Sequence, residues 1–257
     1  MDQNRGGEMV IEPARGQKEK ELPPVGCLFA NPQDAAVARE QLLAEGGTKR
    51  FFFNSTLTVS RDNNFFVAGP AVGSPMAVMA LEKLIVLGAR RIVLFGWCGT
   101  LVPELAIGDC LLAGRGLSGE GTSAYYSAEP EPEPSLSLRA LLRHALRRAQ
   151  LTCQEGRVWS TDAPYREGRP RLQELQDEHG IVAVDMEYTA LCSVAAFRGV
   201  ELAGLFVISD EIWQKEWTPG FSRPEFKARL RQTILQLLAS MAAGDFSKQP
   251  SGGQENG

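Results

Sequence analysis

Short, nearly unbroken apolar runs alternate along this chain with stretches whose apolar residues recur at helical spacing. The runs at 25–30 (VGCLFA), 91–95 (RIVLF) and 202–208 (LAGLFVI) read as strands. The last is too uniformly apolar for a strand with one wet face, so it is expected at the centre of a sheet. Helical spacing covers 35–43, 76–87, 135–149 and 221–243, the last with Phe226, Leu230, Ile234, Leu237, Leu238 and Met241 on one face. Residues 50–68 read as short antiparallel strands with a turn at 61–64 (RDNN). Further on, VAV (182–184) is followed by Asp185-Met186-Glu187, which is expected to open a helix carrying Ala190, Leu191, Val194 and Ala195 on its apolar face. Arg198-Gly199 closes that helix with a cation and a glycine. This alternation predicts one α/β domain.

Composition narrows the picture. A length of 257 residues suits a single domain over about 23–243, with 1–22 expected as a flexible leader and 244–257 as a disordered tail. The net charge of −4 and the lack of a basic run argue against nucleic-acid binding. No apolar run reaches membrane-spanning length and no signal-peptide core opens the chain, so no membrane partner is expected. The five cysteines (27, 98, 110, 153 and 192) are scattered in apolar runs without ligand spacing. They read as reduced core thiols of a cytoplasmic protein, with no metal site.

Chemistry concentrates where structure changes type. Carboxylates end two buried strands: Asp185 and Glu187 after the run at 182–184, Asp210 after the run at 202–208. Acids at strand ends of an α/β sheet point to an active site. A glycine-rich turn before a helix (GPAVGSP, 69–75) can offer backbone N–H groups to an anion, and it also reads as a tight strand-to-helix connection. No GxGxxG follows the first strand, which disfavours a dinucleotide-dependent oxidoreductase.

VDMEYTAL (184–191) followed by VISDE (207–211) resembles the signature half of the nucleoside phosphorylase-I family, which includes purine nucleoside and uridine phosphorylases and the related nucleosidases. GWCGTL (96–101), GEGTSAYY (119–126) and VWSTDAPY (158–165) are similar to further family loops. The resemblance covers about 25–243 and implies a mixed, twisted, partly barrel-like sheet flanked by helices. It implies that Met186 and Glu187 hold the ribose hydroxyls and that Asp210 protonates the departing base of a purine nucleoside. Trp159 falls where an aromatic ring stacks on the base. Asp162, Gly73, Trp97, Cys98 and Gly99 fall in loops that approach substrate. The resemblance implies no cofactor beyond phosphate as co-substrate, a small-molecule nucleoside as partner, and a homo-oligomer.

The chain departs from the family on the phosphate side. Family phosphorylases carry an arginine in the turn after the first strand, and Asp34 stands at that position here. A second expected arginine is Leu94, and the phosphate-binding threonine or serine is replaced by Trp97 and Cys98. A carboxylate in place of a cation beside a divalent anion costs on the order of several kcal/mol in a partly buried site. In the family's nucleosidases an acid after the first strand activates water, and Asp34 matches that position. It reads equally well as a helix N-cap. Three readings follow: phosphorolysis to base and pentose 1-phosphate, with Arg61, Arg90, Arg91, Arg115 or a neighbouring subunit as substitute cation; hydrolysis with Asp34 as base; or nucleoside or nucleotide binding without turnover.

Overall fold

Strand β5 (Arg91–Thr100) is the element around which the others are arranged, because its two halves have different neighbours. The computed structural model describes residues 9–53 and 55–247. Along its first half β5 lies parallel to β1 (Val25–Phe29), from Val25↔Arg91 to Phe29↔Phe95. Its other edge runs parallel to β9 (Glu201–Glu211) along the whole length. Where β1 stops, β8 (Ile181–Asp185) takes its place, antiparallel, with Gly99 opposite Val184.

Beyond β1 the sheet continues through β4 (Phe66–Gly69), β3 (Thr56–Val59) and β2 (Thr48–Arg50). On the other side, β8 pairs with β7 (Cys153–Thr161), β7 with β6 (Cys110–Gly119), and β6 returns to β9. Strands β9, β5, β8, β7 and β6 therefore close a ring, and the short β10 (Thr218–Pro219) adds to the end of β9. The expected mixed, partly barrel-like sheet flanked by helices is what the chain forms.

Helices cover both faces. Helices α2 (Ser74–Val86) and α5 (Tyr188–Arg198) pack together on a core that includes Leu94, Phe206 and Tyr188. The guanidinium of Arg198 grips both oxygens of Glu82 across that pair, at 2.8 and 2.9 Å. The other face carries α1 (Pro32–Ala44), α3 (Leu136–Arg148) and α6 (Pro224–Ala242) on Phe29, Phe95 and Phe226. A third, smaller core (Leu117, Trp159, Val184) lies with Leu172 and Leu175 of α4 (Arg169–His179).

Tertiary context moves several boundaries. The glycine-rich stretch after the 91–95 run is not a loop: it continues β5 to Thr100, because β9 and β8 supply its hydrogen bonds. Ser209 and Asp210 likewise lie inside β9 rather than after it. Helix α5 begins at Tyr188, with Glu187 as its N-cap residue, since Asp185 accepts the backbone N–H groups of Glu187 and Tyr188. Residues expected in the leader and the tail join the cores. Leu22 is buried and hydrogen-bonded to Leu87, and Phe246 is buried in the second core beside the Asp245–Arg148 ion pair. Residues 1–8 and 248–257 lie outside the described residues.

Candidate active site

The bulge in β5 at Cys98/Gly99 sets the geometry of the site. Past it, Asp210 of β9, Gly99 of β5, Val184 of β8, Trp159 of β7 and Leu117 of β6 stand in one register row across five strands. Adjacent strands are about 4.8 Å apart, so Asp210 lies within two strand spacings of the segment that leads into Glu187. Gly99 is what leaves room there. A Cβ on it would stand 3.0 Å from Oδ2 of Asp210 and 2.5 Å from Cδ1 of Ile212. Gly99→Ala is therefore expected to displace the Asp210 carboxylate and lower kcat/KM by about ten- to a hundredfold, as a 1 Å misplacement can. Unchanged kinetics in that variant would show that the Asp210 position does not matter.

Met186 and Glu187 are clamped from α2. The backbone N–H of Gly73 donates to Oε1 of Glu187 at 2.6 Å, and Ser74 Oγ donates to the Met186 carbonyl at 2.7 Å. Gly73 has φ +81°, a conformation in which glycine carries no steric cost, and this aims its N–H at the carboxylate. Asp185, almost fully buried, accepts from Ser160 Oγ and from the N–H groups of Glu187 and Tyr188. Burial raises Asp185 to about 6, and those donors pull partly back. Glu187 is pushed further, to about 8, by burial and then by the charge of Asp185, so the proton of this pair resides on Glu187. A neutral carboxyl there can donate to one hydroxyl of a vicinal pair and accept from the other.

Around Asp210, Ser209 Oγ donates to Oδ1 at 2.6 Å and the Trp217 indole N–H donates to Oδ2 at 2.8 Å. Cys98 is buried beneath, its thiol pushed up by burial and then by Asp185 and Asp210. Glu167, in the turn before α4, is half-buried; burial and then Asp210 raise it to about 7. Arg169 fixes this turn to the segment after β9 by donating to the carbonyls of Ile212 (2.9 Å) and Lys215 (2.7 Å).

The residues expected from sequence thus divide. Gly73, Cys98, Gly99, Met186, Glu187 and Asp210 come together. Trp159 shares their row but its ring packs into the third core, against Gly119 and under α4. Asp162 sits at the rim and accepts the Gly121 N–H at 2.8 Å. Trp97 packs against the second core with Asp34 beside its indole, and Phe221 and Trp217 link its ring to Asp210. Asp34 is not the N-cap of α1; Asn31 is, and Asp34 stands one turn in, fully buried. Neither of its oxygens has a hydrogen-bond partner among the described residues. Burial raises it to about 7, and the Trp97 indole N–H nearby, favouring the charged form without closing a hydrogen bond, pulls partly back.

Sequence reasoning missed Asp185 and Ser160 as supports, and Trp217 and Glu167 altogether. Asp185 was legible beside Glu187 in the motif. Trp217 and Glu167 reach Asp210 through loops, which carry no periodic signal.

The sequence profile of the phosphorylase superfamily matches residues 24–243. The chain belongs to that superfamily. A DeoD-type purine nucleoside phosphorylase of Jannaschia sp. (strain CCS1) is 26% identical over 183 residues, 70% of this chain and 78% of that protein. Among solved structures, purine nucleoside phosphorylase from Toxoplasma gondii in complex with immucillin-H superposes with a TM-score of 0.79. The two are 17% identical, over 95% of this chain and 100% of the other. A mutant of futalosine hydrolase from Helicobacter pylori superposes at 0.70, with 21% identity over 87% and 100% of the two chains. This superfamily member is accordingly an enzyme of the nucleoside phosphorylase and nucleosidase type. Among the described residues, no helix is long and apolar enough to cross a membrane.

Proposed function

We propose that this enzyme cleaves the N-glycosidic bond of a purine nucleoside, with Asp210 as the acid that protonates the departing base and Glu187 as the anchor of the ribose hydroxyls. Bond breaking builds positive charge on the sugar and negative charge on the base. A proton delivered to the base and a fixed ribose lower that barrier. The observation that carries the reading is the Asp210–Gly99–Val184 row, which sets an acid beside a Met-Glu pair held by α2.

We take water as the favoured acceptor. At the position of the expected phosphate arginine stands Asp34, a buried carboxyl with neither oxygen hydrogen-bonded among the described residues and a pKa near 7, suited to a base at neutral pH. Three of the four candidate substitute cations are committed elsewhere. Arg91 pairs with Glu201, Arg115 with Glu131 and Glu133, and Arg90 donates to the carbonyls of Ile85 and Ala89. Phosphorolysis is the second reading, and the DeoD-type purine nucleoside phosphorylases among the relatives favour it. Free-base release from inosine, adenosine, uridine and 5′-methylthioadenosine, with and without phosphate, separates the two. Equal rates without phosphate support hydrolysis, and strict dependence on phosphate supports phosphorolysis. Binding without release from any of the four would overturn both in favour of a binding protein.

A further inference from the structure

The carboxylate assigned as the acid has both oxygens occupied. A general acid needs an oxygen free to face the base. Both oxygens of Asp210 instead accept hydrogen bonds, from Ser209 Oγ and from the Trp217 indole. Ser209 is buried and fixed on β9. Trp217 is 58% exposed, so little apolar burial is lost if it leaves. Its oxygen, Oδ2, is also the one that lies over Gly99.

The backbone of the segment carrying Trp217 is held on both sides of the ring, by Gln214 donating to Glu211 before it and by Thr218 pairing with Glu211 after it, so the part free to swing is the Trp217 side chain. Arg169 holds the carbonyls of Ile212 and Lys215, and the Gly220 N–H donates to the Ser209 carbonyl at 2.8 Å. Between them Trp217 leans on Phe221 (centroids 5.9 Å apart), and Phe221 stacks on Trp97 (5.8 Å), the residue beside Asp34. One short segment therefore covers Asp210 with one ring and the Trp97 end with another.

Building on the assignment of Asp210 as the acid, we propose that Trp217 is a positioning residue, a latch whose indole N–H occupies Asp210 while the base site is empty and is displaced by the incoming base. Displacement frees Oδ2 to carry the proton, so the acid is armed only when a base is present. Other ionisable groups face Asp210 too: Glu167 from the turn before α4 and Cys98 from β5, which also faces Asp185 of β8, with Glu211 next to Asp210 on β9. Lys215 and Glu216 are exposed on the segment itself. None is altered by Trp217→Phe, which keeps the ring and removes only the donor.

The test is the steady-state kinetics of the full chain and its Trp217→Phe variant, on whichever purine nucleoside is turned over. A base that must displace the indole N–H from Oδ2 binds against that hydrogen bond, so removing the donor should lower KM by about three- to tenfold with kcat unchanged. Trp217→His, which restores a ring N–H, should return part of the loss in KM. An unchanged or raised KM, or a change confined to kcat, overturns the latch. Asp210→Asn separates the premise: if it keeps the wild-type kcat, the acid assignment fails and takes the latch with it. If it lowers kcat by about 10² or more while Trp217→Phe leaves KM in place, only the latch fails. A readout without turnover is the indole Nε1–H resonance of Trp217 in ¹⁵N-labelled protein, identified by its absence from the phenylalanine variant. It should shift when free hypoxanthine is added, and a fixed resonance at saturating base contradicts displacement.

Discussion

Asp34→Asn is expected to make the enzyme more stable at pH 8 and, if Asp34 activates water, far less active. Burial holds the folded-state pKa near 7 against an ordinary value of 3.8. For a group raised on folding, the stability present below the ordinary value is lost as pH climbs through the folded value. The window is therefore roughly pH 4 to 7, and above it the buried charge works against the fold. At 1.36 kcal/mol per unit the full linkage is at most about 4 kcal/mol, and about 2 kcal/mol is a realistic gain for the amide. That corresponds to a Tm higher by about 4–8 °C at pH 8 and little changed at pH 4. Thermal unfolding at the two pH values measures it; a variant less stable than wild type at pH 8 contradicts the buried, unpartnered carboxyl. In the same preparation the hydrolytic rate should fall by about 10²–10⁴, the usual contribution of a general base. A stabilised variant with undiminished hydrolysis would leave Asp34 as a purely structural acid.

Asp210→Asn should cost about 10²–10⁴ in kcat on ordinary purine nucleosides, because an amide cannot deliver a proton to the departing base. The sharper expectation concerns the leaving group. 7-Methylguanosine carries its positive charge in the imidazole ring already and has no free N7 to protonate, so its base leaves neutral. The variant should cleave it at close to the wild-type rate, which turns a general loss into a specific one. Equal losses on inosine and 7-methylguanosine would mean that Asp210 acts by holding Trp217, Ser209 or the strand end in place rather than as an acid.

Much of the fold was legible because its signals are local. The apolar runs at 25–30, 91–95 and 202–208 mark three adjacent strands of the sheet, and the spacing at 35–43 and 76–87 marks two of its flanking helices. Glu187 and Asp210 were legible for the same reason, each set in a motif a few residues long. What these residues touch was not legible. The ionisation of Glu187 depends on its burial, on Asp185 and on Gly73, 114 residues earlier in the chain.

The sequence by itself determined much of the strand and helix order and the superfamily, and it singled out Asp210 and Glu187 as the candidate acid and ribose anchor. All of these rest on side-chain pattern over short distances. The tertiary structure decided that GWCG continues β5 instead of forming a loop, and that Asp34 is fully buried with neither oxygen hydrogen-bonded among the described residues. It also decided that Trp217 rests on the acid. The reason is physical. Strand extension depends on neighbours that supply hydrogen bonds, and a carboxyl's pKa depends on the dielectric and donors around it. Both are set by segments far apart in the chain, and only the closed register of β9, β5 and β8 brings them together.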